Sequence, residues 1–254
     1  GGPMAMRILA AGHPLMLWAR RAEMLEPFTA AGADVAITPA ALAAECSIIC
    51  LCVVDDAGVA ELAEIIISAM QTGSVLVIHS TILPASCEAL AARCDARGIL
   101  FLDAPVSGGG GAASTGTLTV MCGGSDAAFA TAKPILESFA GALVHLGPAG
   151  SGQRAKIVNN ALLAATMGLA HAALAAGENL GIDRKALAEI IKVSSGRSMG
   201  FEIYARLPTP AAFAIGAPLL VKDVGLLGAI LPNDPAAETL SNAAATFLTA
   251  TTTP

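Results

Sequence analysis

Lys156 and Asn160 lie four residues apart in the segment Gly147-Pro-Ala-Gly150-Ser-Gly152-Gln-Arg-Ala-Lys156-Ile-Val-Asn-Asn160. In a helix that spacing stacks both side chains on one face. A lysine entering an otherwise apolar helix is costly unless it is partnered. Beside an apolar wall its pKa falls toward the range where it can exchange a proton with a reacting oxygen. The competing reading of a lone lysine, an exposed amine beside an amide, leaves the apolar flank unexplained. Asn160 would orient Lys156 or a substrate.

A second segment, Asp103-Ala-Pro-Val-Ser107-Gly108-Gly109-Gly-Gly-Ala112, follows a predicted strand. Open α/β sheets bind ligands at the C-terminal ends of their strands. Four consecutive glycines expose backbone N–H groups and Ser107 adds a hydroxyl, a combination suited to a carboxylate. A flexible glycine linker is the alternative, and the rigid Asp-Ala-Pro lead-in weighs against it.

A third segment, Trp18-Ala19-Arg20-Arg21, follows another short predicted strand. An NAD site places a carboxylate at this point to accept from the adenosine ribose 2′-OH. Ala19 offers none, and two guanidiniums can instead pair with a 2′-phosphate, which favours NADP and leaves NAD possible. Two arginines merely exposed on a loop are the competing reading. Gly1, at the head of an apolar helix, resembles the tail of a glycine-rich phosphate loop, which sets a helix N-terminus against a pyrophosphate.

These residues need a scaffold, and the hydrophobic pattern supplies one. Short apolar runs at 14–19, 48–54, 75–79, 99–103, 118–122 and 143–146 read as strands. Helical patterns at 3–11, 22–31, 58–70, 84–97 and 127–139 alternate with them. That alternation predicts βαβ units and a mainly parallel, doubly wound sheet. No strand precedes the first helix, so an upstream segment is expected before Gly1. Beyond Gly152 the strands stop. A long helix is expected over 153–180 and another over 183–192, with Asp183 as its N-cap. Shorter Ala/Leu-rich helices follow, broken by prolines. The domains are therefore placed at 1–149, a Rossmann-like α/β domain, and 150–254, an all-helical domain.

Composition excludes several classes. Of 254 residues, 13% are charged and 55% hydrophobic, the opposite of a disordered chain. A net charge of −6 and 4% aromatics argue against nucleic acid as a partner. The weakly polar stretch 161–177 is 17 residues long (177 − 161 + 1) and carries His171. That is short of the roughly 20 apolar residues of a membrane span and reads as a helix buried on most sides. No basic and apolar signal pattern opens the sequence. Six cysteines, none in a CxxC pair, read as buried small hydrophobes, Cys50 and Cys52 included, with no metal site. Reduced thiols fit a cytoplasmic protein.

Taken together these segments resemble the β-hydroxyacid dehydrogenase family, whose members include 3-hydroxyisobutyrate dehydrogenase and tartronate semialdehyde reductase. Asp103-Ala-Pro-Val-Ser-Gly-Gly109 resembles its substrate-binding motif. Residues 147–160 match its GxxGxGxxxKxxxN pattern, with Lys156 at the catalytic lysine and Asn160 at its partner. Ser80-Thr81 resembles the Ser-Thr pair beside the nicotinamide ribose. Lys222-Asp223 resembles the late Lys-Asp pair whose lysine approaches the cofactor. The sequence departs from the pattern at His79, where an Asp often precedes the Ser-Thr pair, and in the tail 241–254, which lacks the usual Gly/Asp-rich end. The resemblance implies hydride transfer between a nicotinamide cofactor and a short 3-hydroxy acid or its semialdehyde. Gly1, Arg20, Arg21, Val53, Thr81 and Lys222 would contact the cofactor. Ser107, Gly108 and Gly109 would hold a substrate carboxylate, in a cleft between the domains. A homodimer or homotetramer would form through the long helix. Two other readings of the same features are an imine reductase, which usually replaces the lysine, and a non-catalytic dinucleotide-binding module. The retained Lys156, Ser107 and Asn160 argue against both.

Overall fold

The structure is a computed structural model that describes residues 1–251. The chain divides into two compact units between Lys156 and Ile157.

The first unit alternates helix and strand. It comprises α1 (Gly2–Ala10), β1 (Met16–Leu17), α2 (Glu26–Ala30, after a 3₁₀ turn), β2 (Asp34–Val35), α3 (Pro39–Glu45), β3 (Ile48–Leu51), α4 (Asp56–Ala69) and β4 (Val75–Ile78). It continues through α5 (Pro84–Asp95), β5 (Leu100–Asp103), β6 (Val106–Ser107), α6 (Gly109–Thr115), β7 (Leu118–Gly124), α7 (Asp126–Leu136) and β8 (Ala140–His145). β1 and β2 form a parallel two-stranded ribbon. The six-stranded sheet runs β3-β4-β5-β7-β6, with β8 also on β7. Its β3-β4-β5 part is parallel, as is β7-β8, and the pairs β5-β7 and β6-β7 are antiparallel. The mainly parallel α/β expectation is met. The antiparallel turn-back through β6 and β7 and the two-residue strands β2 and β6 had no sequence signal.

β4 shows why such strands read as unbroken apolar runs. All four of its residues are buried, because helices cover both faces. Alternation sends Leu76 and Ile78 to one side, against Val59, Leu62 and Ile66 of α4, and Val75 and Val77 to the other, with Met4 and Ile8 of α1 and Leu136 of α7. Each fully buried aliphatic side chain is worth about 1.5–3 kcal/mol.

Strands end where the unit boundary begins. α8 (Ser151–Asn179) starts in the first unit and continues into the second. There it is joined by α9 (Arg184–Lys192), α10 (Met199–Ala205), α11 (Ala217–Ile230) and α12 (Pro235–Leu248). The N-caps Asp183, Ser198 and Asp234 each accept from a first-turn backbone N–H. α8 has the length and composition of a membrane span, yet Ala161, Ala164, Met167 and Leu174 on it are fully buried. They sit in the helical core with Phe201, Leu220 and Phe247 and with Leu227. The expected boundary at 149/150 falls seven residues short of the observed one, because the first turn of α8 is bound to the sheet by the contacts described next.

Candidate active site

Asp103, the last residue of β5, is fully buried. Its Oδ1 accepts from the Gly150 N–H at 2.7 Å and its Oδ2 from the Gln153 N–H at 2.9 Å. The carboxylate thus caps the N-terminus of α8 from a distant strand. Gln153 is also fully buried. Its Nε2 donates to the Ser80 carbonyl at 2.8 Å, and its Oε1 accepts from the Ile82 N–H at 3.2 Å. The helix that carries Lys156 is therefore fixed to the C-terminal end of β5 and to the loop after β4. Two glycines make this approach possible. Gly150 has φ +87°, and a Cβ on Gly152 would sit 2.3 Å from the Met121 carbonyl oxygen. Desolvation raises the Asp103 pKa to about 6, outweighing the backbone N–H groups that favour its charge.

Lys156 and Asn160 are both buried, one turn apart on α8. Asn160 Nδ2 donates to Asp223 Oδ2 on α11 at 2.5 Å. Asn160 Oδ1 accepts from Asn159 Nδ2 at 3.1 Å. Lys222 Nζ lies 2.8 Å from Asp223 Oδ1. Sequence reading placed Asn160 and Lys222 in separate motifs. The structure joins them through Asp223, a residue to which the sequence reading gave no role of its own.

Ser107 closes β6, and Gly108, at φ +129°, is the N-cap of α6. Here the structure corrects the sequence reading. Gly109, Gly110 and Gly111 are not an open loop but the first turn of α6, whose Ser114 and Thr115 hydroxyls bond back to the Gly110 and Gly111 carbonyls. The backbone donors beside Ser107 are thus first-turn N–H groups, and no side chain caps them.

A cleft of about 1010 Å³ opens in the first unit, and Gly1, Arg20, Arg21 and Val53 all line it. Four of the six expected cofactor contacts are thereby brought together. Thr81 does not line the cleft, but Ser80 beside it accepts from the Val53 N–H at 2.8 Å. Lys222 belongs to the second unit. Gly1 is the N-cap of α1 with no side-chain bond to the first turn, so backbone donors face this space. A helix N-terminus, two guanidiniums and this volume fit a dinucleotide. Arg20 is paired with Glu61 at 3.0 Å, both well exposed. Such surface pairs are worth about 0–1 kcal/mol, so a phosphate can displace Glu61. Cys50 and Cys52 line the same cleft and are exposed, contrary to the buried reading. Alternation puts them on one strand face, but that face of β3 looks into the cleft rather than the core. The Cys50 thiol is nonetheless pushed up to about 12, by desolvation and then by Cys52.

His79, on the cleft wall, is buried. Its Nδ1 lies 2.7 Å from the Ala104 carbonyl oxygen, which can only accept, so Nδ1 carries the proton. Nε2 is buried without a hydrogen-bond partner. Burial lowers the imidazole pKa from 6.5 to about 4. Between those values only the unfolded chain is protonated, so acidification through that window removes stability, by up to about 3 kcal/mol. Asp103 acts in the opposite sense. Its raised pKa means the folded state binds the extra proton, and stability is lost as pH rises through about 6. The His79 contribution is therefore read as a difference: urea unfolding of the parent should lose more stability than His79→Gln between pH 7.5 and pH 5. Parallel pH profiles would exclude it.

Residues 1–147 match a family model for the NAD-binding domain of 6-phosphogluconate dehydrogenase. Residues 150–252 match one for the NAD-binding domain of NADP-dependent 3-hydroxyisobutyrate dehydrogenase. The mitochondrial 3-hydroxyisobutyrate dehydrogenase of Mus musculus is 37% identical over 238 residues, covering 89% of this chain and 71% of its own. An NAD-dependent L-serine dehydrogenase of Pseudomonas aeruginosa is 35% identical over 246 residues, covering 89% and 80%. The solved structure of Mycobacterium tuberculosis 3-hydroxyisobutyrate dehydrogenase with L-serine superposes with a TM-score of 0.84 at 26% identity, over 97% of this chain and 89% of that one.

Proposed function

The chain belongs to the β-hydroxyacid dehydrogenase family, and from that premise we propose that it moves a hydride between NADP and C3 of a short 3-hydroxy acid, with the semialdehyde or related oxo acid as the oxidised partner. The observation that carries the reading is the buried Lys156, one turn from an Asn160 whose amide is held by Asp223. When bound, the nicotinamide supplies or takes up the hydride. The chain's own residues do the rest. Neutral Lys156 accepts the hydroxyl proton as the alcohol is oxidised, and its ammonium returns it in reduction. Ser107 and the N–H groups at Gly108 and Gly109 hold the substrate carboxylate. Gly1 and Val53 would border the dinucleotide and Arg20 and Arg21 would meet its 2′-phosphate, and Thr81 and Lys222 are the remaining residues that the family resemblance assigns to the cofactor. In the same reading the enzyme works in the cytoplasm as a homodimer or homotetramer. Leu162 and Leu169, more than half exposed on α8, support a second copy as the partner.

The test is turnover of a panel of small hydroxy acids and semialdehydes with each cofactor, for the parent, Arg20→Ala and Arg21→Ala. A charge-assisted bond to the 2′-phosphate is worth about 1.5–3 kcal/mol, or about 10- to 150-fold in kcat/KM for NADP over NAD. Because Arg20 is exposed and already paired with Glu61, the expected preference is near the lower figure. An NAD preference in the parent, or an unchanged preference in both variants, rejects the NADP assignment. No turnover with any member of the panel rejects the activity.

A further inference from the structure

Asp223 is buried on α11 and takes no part in the hydride or proton transfer itself. Its two oxygens face two different groups. Oδ2 receives the Asn160 side-chain amide at 2.5 Å. Oδ1 lies 2.8 Å from Lys222 Nζ, yet this buried atom makes no hydrogen bond of acceptable geometry. The contact with its neighbour in sequence is therefore Coulombic, and the directed bond is the one to Asn160.

An ionised carboxylate can only accept, so the amide facing it must present nitrogen. That settles which way round the Asn160 amide sits. Oδ1 is turned away from Asp223 and toward Asn159, with a second lone pair left to accept. We propose that Asp223 is a positioning residue that holds Asn160 as a hydrogen-bond acceptor one helical turn from Lys156. The proposal rests on the hydroxy-acid dehydrogenase reading and adds to it the polarity at which Asn160 works. An acceptor there can receive a proton-bearing group, whether the Lys156 ammonium or a substrate hydroxyl. A reversed amide would offer N–H in the same place and repel it.

Asp223→Asn is the informative variant. It keeps the shape but can meet Asn160 with either oxygen or nitrogen, so the amide is free to reverse. The expected result is a fall in kcat of about 10-fold or more, with substrate KM changed less than 3-fold and the unfolding midpoint close to that of the parent. In the Asn160→Ala background the same substitution should change kcat less than 2-fold, because the group it orients is gone. A full multiplicative loss in that background overturns the proposal. So does a rise in cofactor KM with kcat intact, which would assign the carboxylate to Lys222 instead.

A second measurement does not depend on turnover. In ¹⁵N NMR of the intact chain, the Asn160 side-chain amide should give a downfield, slowly exchanging proton that Asp223→Asn removes. An Asn160 amide resonance unchanged by Asp223→Asn overturns the positioning role by itself. If the parent turns over nothing, the activity is wrong, and this resonance still decides whether Asp223 orients Asn160.

Discussion

Lys156→Ala should lower kcat by at least about 10²-fold, the low end for removing a positioned acid or base, while the affinity for the nicotinamide cofactor stays within a few fold of the parent. The separation follows from where the parts sit. The cleft lined by Gly1, Arg20, Arg21 and Val53 does not include Lys156, so truncating the lysine leaves those donors in place. Lys156→Arg sharpens the experiment. It keeps the positive charge and much of the length, but a guanidinium holds its proton at any working pH. If Lys156 acts by exchanging a proton, Arg should be nearly as impaired as Ala. If it acts only as a charge that attracts a carboxylate, Arg should restore most of the rate and the loss in Ala should fall on KM. Near-normal kcat in Lys156→Ala at neutral pH would remove the residue from the mechanism.

Gly168→Ala should destabilise the second unit by about 3 kcal/mol or more. In an exposed helix interior this change would stabilise, because glycine costs about 0.5–1 kcal/mol relative to alanine. Gly168, though, lies where α8 meets α12 backbone to backbone. An added Cβ would fall 1.8 Å from the Ala243 carbonyl oxygen and 2.7 Å from Thr246 Oγ1. No rotamer escapes a clash with backbone, so the helices must separate, and overpacking of this kind costs about 1–3 kcal/mol and occasionally more. The control is Gly225→Ala on α11, where nothing lies within 4 Å of the new methyl. There the propensity gain should stand alone, neutral to about 1 kcal/mol stabilising. Denaturant midpoints for the two variants should move in opposite directions. Equal shifts would mean that the close approach of α8 and α12 is not what the sequence protects at Gly168.

What could be read beforehand divides along physical lines. The strands at 75–78 and 100–103 and the helix through Lys156 were legible because burial on both faces, or on one stripe, imposes a period on the sequence. The cap at Asp183 is local chemistry, resolved within three residues. Asp103 could not be recognised as a cap, because the first N–H it meets lies 47 residues later. Asp223 was equally silent, being 63 residues from the amide it meets. The helix at the glycine run had no sequence signal, because glycine is a poor helix former, yet the run takes the first turn of a helix whose Ala112 and Ala113 pack against the core. Cys50 and Cys52 show a different limit. Alternation says that two side chains share a face, but only the fold says whether that face meets a core or a cleft.

The β1–β2 ribbon has a consequence for cofactor affinity. Two residue pairs hold it, Met16 with Asp34 and Leu17 with Val35, and it shares no strand pairing with the larger sheet. It can therefore open as a local unit while that sheet stays folded. Arg20 and Arg21 lie three and four residues beyond the end of β1, so a dinucleotide that needs them binds only the closed form, and its apparent affinity is reduced by the closed fraction. Linkage then runs both ways. Bound cofactor would slow hydrogen exchange at the Asp34 and Ala36 amides, which bond to the Leu15 and Leu17 carbonyls across the ribbon. Substitutions that merely tighten this short ribbon would strengthen cofactor binding without adding a single contact to it.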